Sequence, residues 1–237
     1  MYITGDTHGY IDYSKLNTGN FVEQKNLTKD DYVIIAGDAA ILWSSYINGS
    51  NNISGQDRNL IKWYNHKKFT TLFVDGNHEN HDALNRYPIE YWNGGKIHRI
   101  ADSVIHLMRG QVYTINDKTF FTMGGASSID KAYRKENISW WPQELPSRIE
   151  YEEAIENLDK HNMTVDYVIS HCCGTTYLKE LLNEYEIEVD ELNQFFKHLE
   201  FDFDLKFKHW YFGHYHIDKQ IDDKHTCVFN KVIKFED

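Results

Sequence analysis

An aspartate and a histidine stand two residues apart near the start of the chain, in Gly5-Asp6-Thr7-His8-Gly9. In an extended strand residues two apart share a face, so this carboxylate and imidazole can reach one point in space. The flanking glycines allow a sharp turn and the close approach of a ligand. Taken alone the pattern is also that of an ordinary strand end running into a turn. It does not stand alone. Asp38 follows Gly37, Asn77 and His78 follow Gly76, His171 follows Ser170, and Gly213-His214-Tyr215-His216 repeats the two-residue spacing. Imidazole nitrogens with carboxylate and amide oxygens suit borderline divalent ions such as manganese, iron, zinc or nickel. The set offers more donors than one catalytic zinc needs.

Each of these groups ends a short apolar run: "DYVIIAGD" (31–38), "TTLFVDGNHE" (70–79), "DYVISH" (166–171) and "HWYFGHYH" (209–216). Continuous runs of this length predict strands buried on both faces. Amphipathic spacing predicts helices over 57–68 and 149–161, with "TTYLKELLNEY" (175–185) and "ELNQFFKHLEF" (191–201) as two more. "VIHLM", "QVYTI", a turn at Asn116-Asp117 and "TFFTMGG" predict a meander. Strands alternating with helices at both ends of the chain imply sheets packed between helices, with ligand sites beyond the carboxyl ends of the strands. No linker, repeat or charge block divides the chain, so one domain over 1–237 is expected. Residues 126–148 fit neither periodicity and predict a long ordered loop, of the kind that is usually functional.

The 237 residues carry 41% hydrophobic and 15% aromatic residues, enough for a packed core, with a formal net charge of −11. That charge counts against nucleic acid polymers and anionic membranes as partners. Three cysteines, two of them adjacent at 172 and 173, make no disulfide framework. They suit a reducing compartment, and with no signal-like N-terminus or membrane-length apolar stretch a cytoplasmic location is expected.

In order, GDTHG, GD, GNHE, a strand-terminal SH and GHYH resemble the motifs of the calcineurin-like metallophosphoesterase superfamily, from residue 5 to residue 216. The resemblance implies an α/β (α+β) fold, a four-layer αββα sandwich of two mixed β-sheets flanked by helices, with a dinuclear metal site at the strand ends. Carried over residue by residue, it gives Asp6, His8 and His216 to one metal ion and Asn77, His171 and His214 to the other, with Asp38 bridging. His78 resembles the histidine that contacts phosphate or protonates the leaving group. The implied cofactors are two divalent transition-metal ions, manganese foremost, with iron, zinc or nickel as alternatives. The implied reaction is phosphomonoester or phosphodiester hydrolysis of a small or nucleotide-type substrate by a metal-bridging hydroxide. Two divalent ions less two carboxylates and one hydroxide leave the site about one unit positive, suited to an anionic ester.

The pattern departs from that of the Ser/Thr protein phosphatases of this superfamily, which carry G-D-x-x-D-R-G and an arginine before GNHE. Here Ile41 and Leu42 replace the second aspartate and the arginine, and Asp75 precedes Gly76. The metal cage is complete while that phosphate clamp is missing. Arg134 and Lys131 of the long loop are candidate replacements, whereas Trp140 and Trp141 read as core residues. Cys172, Cys173 and the eight histidines outside the motifs read as packing or surface residues. The competing readings are a non-catalytic metal-binding scaffold of the same fold, a nuclease, and a Ser/Thr protein phosphatase. Intact metal ligands count against the first, and the acidic charge counts against the second.

Overall fold

Strands without a polar face need cover on both sides, and the apolar runs receive it. The computed structural model describes residues 1–183 and 188–235. Its described strands are β1 (Tyr2–Thr4), β2 (Tyr32–Ala36), β3 (Thr70–Val74), β4 (Ile89–Trp92), β5 (Gly95–Ala101), β6 (Val104–Leu107), β7 (Gln111–Ile115), β8 (Lys118–Met123), β9 (Tyr167–Ser170), β10 (His209–Phe212), β11 (Lys219–Gln220), β12 (His225–Cys227) and β13 (Ile233–Lys234). The helices are α1 (Gly55–Asn65), α2 (His81–Leu84), α3 (Arg148–Lys160), α4 (Leu178–Leu181) and α5 (Glu191–Phe201). Two mixed sheets result, ordered β13-β1-β2-β3-β6-β5-β4 and β11-β12-β10-β9-β8-β7. Parallel pairing joins β1, β2, β3 and β6 in the first sheet and β8, β9, β10 and β12 in the second.

Alternation along each strand divides the apolar residues among three cores. Ile34 and Ala36 of β2 and Leu72 and Val74 of β3 meet Phe120, Ile169 and Tyr211 of the other sheet. Val33, Ile35 and Phe73 point the opposite way, onto Leu60 and Tyr64 of α1. In the second sheet Val168, Trp210 and Phe212 pack against Ala154 and Leu158 of α3 and Leu192, Phe196 and Leu199 of α5. Three cores separate four layers, helix–sheet–sheet–helix, as expected. No helix among the described residues is long and apolar enough to cross a membrane.

Capping chemistry sets the helix starts. Ser54 Oγ accepts from the Asp57 N–H at the head of α1, and reciprocal boxes of Ser147 with Glu150 and Asp190 with Asn193 open α3 and α5. The helix expected over 175–185 is shorter: a 3₁₀ turn at Thr175–Tyr177 leads into α4, and residues 184 and 185 lie outside the described residues. The expected meander is divided between the sheets. β6 pairs with β3 and β5 in the first, whereas β7 and β8 form a hairpin in the second. Its turn residues, Asn116 and Asp117, have φ of 51° and 60°, as a two-residue hairpin turn requires. A hairpin of β4 and β5, unforeseen in the sequence, precedes the crossing.

Candidate metal centre

β1 ends at Thr4 and β10 at Phe212, so Asp6, His8, His214 and His216 all lie beyond the strands. His8, Asp38, His214 and His216 have φ of 42°, 51°, 71° and 51°. For residues other than glycine this region costs about 1–3 kcal/mol and persists only where the surroundings hold it. Here they do. The N–H groups of Thr7 and His8 donate to the Asp38 carbonyl, that of Gly213 to the His171 carbonyl, and that of His214 to the Asp6 carboxylate. Tight left-handed turns, and not strand alternation, therefore aim these side chains. For Asp6 and His8 the outcome is the expected one: with His216 they place donor atoms within 4.8 Å of one another. For His214 and His216 it differs. His216 Nε2 lies 3.2 Å from Asp6 Oδ2, while the His214 ring packs against His171 with centroids 5.0 Å apart.

The motif glycines are required by crowding. A Cβ on Gly37 would stand 2.0 Å from His171 Nδ1, and one on Gly76 would stand 2.1 Å from Asp38 Oδ1. The His171 and Asp38 side chains thus lie directly on the backbone of other motifs.

Between the two groups sits Asp38, whose Oδ2 is 3.3 Å from Nε2 of both His8 and His171. Asn77 Oδ1 is 3.2 Å from the same His171 nitrogen. The outer nitrogens are fixed: His171 Nδ1 lies 2.8 Å from the Ala36 carbonyl oxygen, and His8 Nδ1 lies 2.8 Å from Asp12 Oδ2. With Nδ1 engaged outward, Nε2 is the nitrogen turned to the interior, and it is there that an ion would bind. Asn77 is oriented in the same manner, its Nδ2 donating to Ser128 Oγ at 3.0 Å, which donates to the buried Glu144 at 2.8 Å.

These donors fit divalent ions. Burial would raise the pKa of Asp6 and Asp38, but the surrounding imidazoles outweigh it and hold both below the ordinary carboxylate value. The reverse holds for His171, where burial lowers the pKa and the Asp38 and Asp6 carboxylates push it up to about 9. Two buried carboxylates thus call for positive charge, which the His171 imidazolium supplies and which a divalent ion would supply on displacing that proton. Burial, reinforced by His171, holds His214 down to about 3, so its imidazole stays neutral and available as a donor.

His78 faces this cluster from the side, its ring centroid 5.3 Å from that of His8, and its backbone N–H donates to Asp38 Oδ1 at 2.6 Å. Burial lowers its pKa; Asp38 opposes that, while Arg134 and the neighbouring imidazoles add to it. The Arg134 guanidinium lies 3.2 and 3.3 Å from the two ring nitrogens of His78, held by Asp130 at 2.7 Å and by the Ser139 carbonyl at 3.2 Å. Lys131 is placed elsewhere. It pairs with Glu144 at 3.3 Å and donates to Ser127 Oγ, supporting the Ser128–Glu144 link and not facing His78. Ile41 and Leu42 are core residues beneath the second motif. Trp141 is fully buried, its ring centroid 5.4 Å from that of Trp43, and Trp140 lies partly buried under Lys131.

Several supporting residues escape sequence reasoning. Asp12 is one turn beyond His8, a spacing that could have suggested it. Lys15 is buried, its ammonium donating to the carbonyls of Asp6 and Phe229. Asp75 accepts two hydrogen bonds from Arg109 and one contact at 3.2 Å from His106, which meets His98. Arg109 also donates to the Gln143 and Glu144 carbonyls, tying the GNHE turn to the long loop. Nothing local in the sequence marks Arg109 or Glu144, because their partners lie more than thirty and about sixteen residues away.

The family model of the calcineurin-like phosphoesterases matches residues 1–218. None of the curated proteins matches the sequence. Among solved structures, a phosphopantetheinyl hydrolase from Mycobacterium tuberculosis is similar at 12% identity and a TM-score of 0.35, over 96% of this chain and 87% of that one, too weak a likeness to bear on fold or activity. A match over almost the whole chain, on the segments that build the donor cluster, makes the chain a member of the calcineurin-like phosphoesterases, metal-dependent hydrolases of phosphoester bonds.

Proposed function

We propose that the chain hydrolyses phosphomonoesters or phosphodiesters of small molecules with two divalent ions, manganese foremost. Asp6, His8 and His216 would hold one ion, Asn77, His171 and His214 the other, and Asp38 would be shared. The observation that carries this reading is the position of Asp38 Oδ2, equally 3.3 Å from an imidazole nitrogen of each group. When bound, the ions supply a water acidic enough to attack phosphorus near neutral pH and neutralise charge on the phosphoryl oxygens. The chain's own residues do the rest. Asp12 and the Ala36 carbonyl keep His8 and His171 in one tautomer. Arg134, anchored by Asp130, offers N–H donors to a phosphoryl oxygen beside His78. His78 donates to the same oxygen or to the leaving group. Three buried cysteines that form no disulfide are in keeping with a cytoplasmic location.

The test is reconstitution with manganese, metal analysis, and hydrolysis of nitrophenyl phosphomonoesters and diesters. Two ions per chain and metal-dependent turnover are expected. One ion or fewer in excess metal would overturn the dinuclear reading, and two ions without turnover would favour a scaffold.

A further inference from the structure

A cavity of about 490 Å³ opens directly from the donor cluster, sharing His8, His78 and His216 with it. Its walls are Tyr10, Ile11, Trp43 and Leu60. The Tyr10 hydroxyl donates to the Gln56 carbonyl at 3.0 Å and closes one side, and the Trp43 ring lies 6.0 Å from that of His78. Tyr10 and Ile11 are 38% and 78% exposed, an apolar surface left open beside an otherwise polar centre. The charged side chains on the lining, apart from the histidines, are the carboxylates of Asp12 and Asp57. Among the described residues no lysine or arginine lines it, and Arg134, though in contact with His78, is not part of it.

We infer that this groove takes the organic group of the phosphoester, and that the group is uncharged and largely apolar: an aryl or alkyl phosphoester, not a polyanionic nucleotide. The inference rests on the phosphoesterase reading of the adjoining centre. The size is that of a small-molecule pocket, and its continuity with the proposed metal ligands leaves an ester substituent as the occupant. A further phosphate or carboxylate held in the groove away from the metal centre would meet the Asp12 carboxylate, with no lysine or arginine on the lining to pair with; Asp57 is buried behind its hydrogen bonds from Ser44 and Ser45. Trp43 and Tyr10 offer aromatic surface to an aryl group. Each buried methylene-sized increment is worth about a fourfold factor in affinity, so a phenyl group in place of a methyl should gain tenfold or more.

Phosphonates test this, because each carries a single organic group and cannot be hydrolysed. Calorimetry on the manganese-loaded protein should show phenylphosphonate binding at least tenfold tighter than methylphosphonate, with 4-carboxyphenylphosphonate losing most of that gain. Trp43→Ala should shrink the phenyl-to-methyl ratio several-fold. Ile11→Asp, at an exposed position that does not endanger folding, should shrink it too, and Gln56→Lys should improve binding of the carboxyphenyl compound. Equal affinities for all three compounds in a protein that binds two metals and hydrolyses nitrophenyl esters would overturn the groove assignment alone. Tighter binding of the carboxyphenyl than of the phenyl compound would overturn it as well. A protein that takes up no metal would overturn the phosphoesterase reading beneath it.

Discussion

Replacing Arg109 with methionine tests whether the buried ion pair behind the GNHE turn is a structural keystone. Asp75 and Arg109 are almost wholly buried, and the guanidinium donates through Nε at 2.8 Å and Nη2 at 2.5 Å to one carboxylate oxygen. Burial alone would raise the Asp75 pKa, but Arg109 outweighs it, with His106 adding to the effect, and holds the carboxyl far below the usual range. Arg109→Met keeps most of the side-chain volume, so little cavity cost is expected. What remains is a buried carboxylate whose strongest partner is gone, together with the Gln143 and Glu144 carbonyls that the guanidinium had satisfied. Breaking one side of a buried pair costs about 3–5 kcal/mol. Domains are stable by about 5–15 kcal/mol in total, so about a fifth or more of the stability is at stake. For a chain of this size the melting temperature should fall by roughly 6–20 °C. Urea unfolding followed by tryptophan fluorescence, at unchanged slope, reads the loss directly. Arg109→Met/Asp75→Asn removes the stranded charge and should recover about 2 kcal/mol or more. A single variant within about 1 kcal/mol of the parent, or a double variant no better than the single one, would refute the reasoning.

Asp38→Ala should impair both metal positions together, since one carboxylate oxygen sits between them; two retained metals with normal turnover would remove Asp38 from its bridging role. His78→Asn should leave two metals bound and lower turnover, towards the lower end of the ~100- to ~10,000-fold range for general acid–base groups, because burial and Arg134 lower its pKa and so disfavour the proton-donating imidazolium. The loss should be smaller for nitrophenyl esters than for alkyl esters, and loss of a metal would mean that His78 is a ligand. Arg134→Ala should raise KM more than it lowers kcat, as the loss of uniform phosphate binding does; unchanged kinetics would make Arg134 an ordinary surface residue. Burial and the neighbouring His106 push His98 down to about 4, with Asp75 acting the other way, against about 6.5 in an unfolded chain. The unfolded state therefore takes up this proton first, so stability falls as pH drops from about 6.5 towards about 4. His98→Leu should flatten that part of the pH–stability curve, and an unchanged slope would assign the acid sensitivity to other groups.

What the sequence by itself determined was the inventory and its order. Apolar runs without a polar face could only be strands covered on both sides, and each ended in a donor, so the donors had to gather at one edge of the sheets. The helix at 191–201 was legible to the residue because its amphipathic spacing and its Asp190 and Asn193 cap are local. Tertiary structure decided everything that depended on partners distant in sequence. It split the expected meander, since β6 and β7 differ in which sheet they join and not in their own residues. It aimed the candidate ligands through left-handed turns held by hydrogen bonds between motifs, where alternation along a strand would have sent His214 and His216 to one point. It also placed Lys131 on Glu144 and Arg134 on His78, two cations that the loop sequence presents as equivalents. Spacing governs which residues can share a face, whereas long-range packing governs what that face meets.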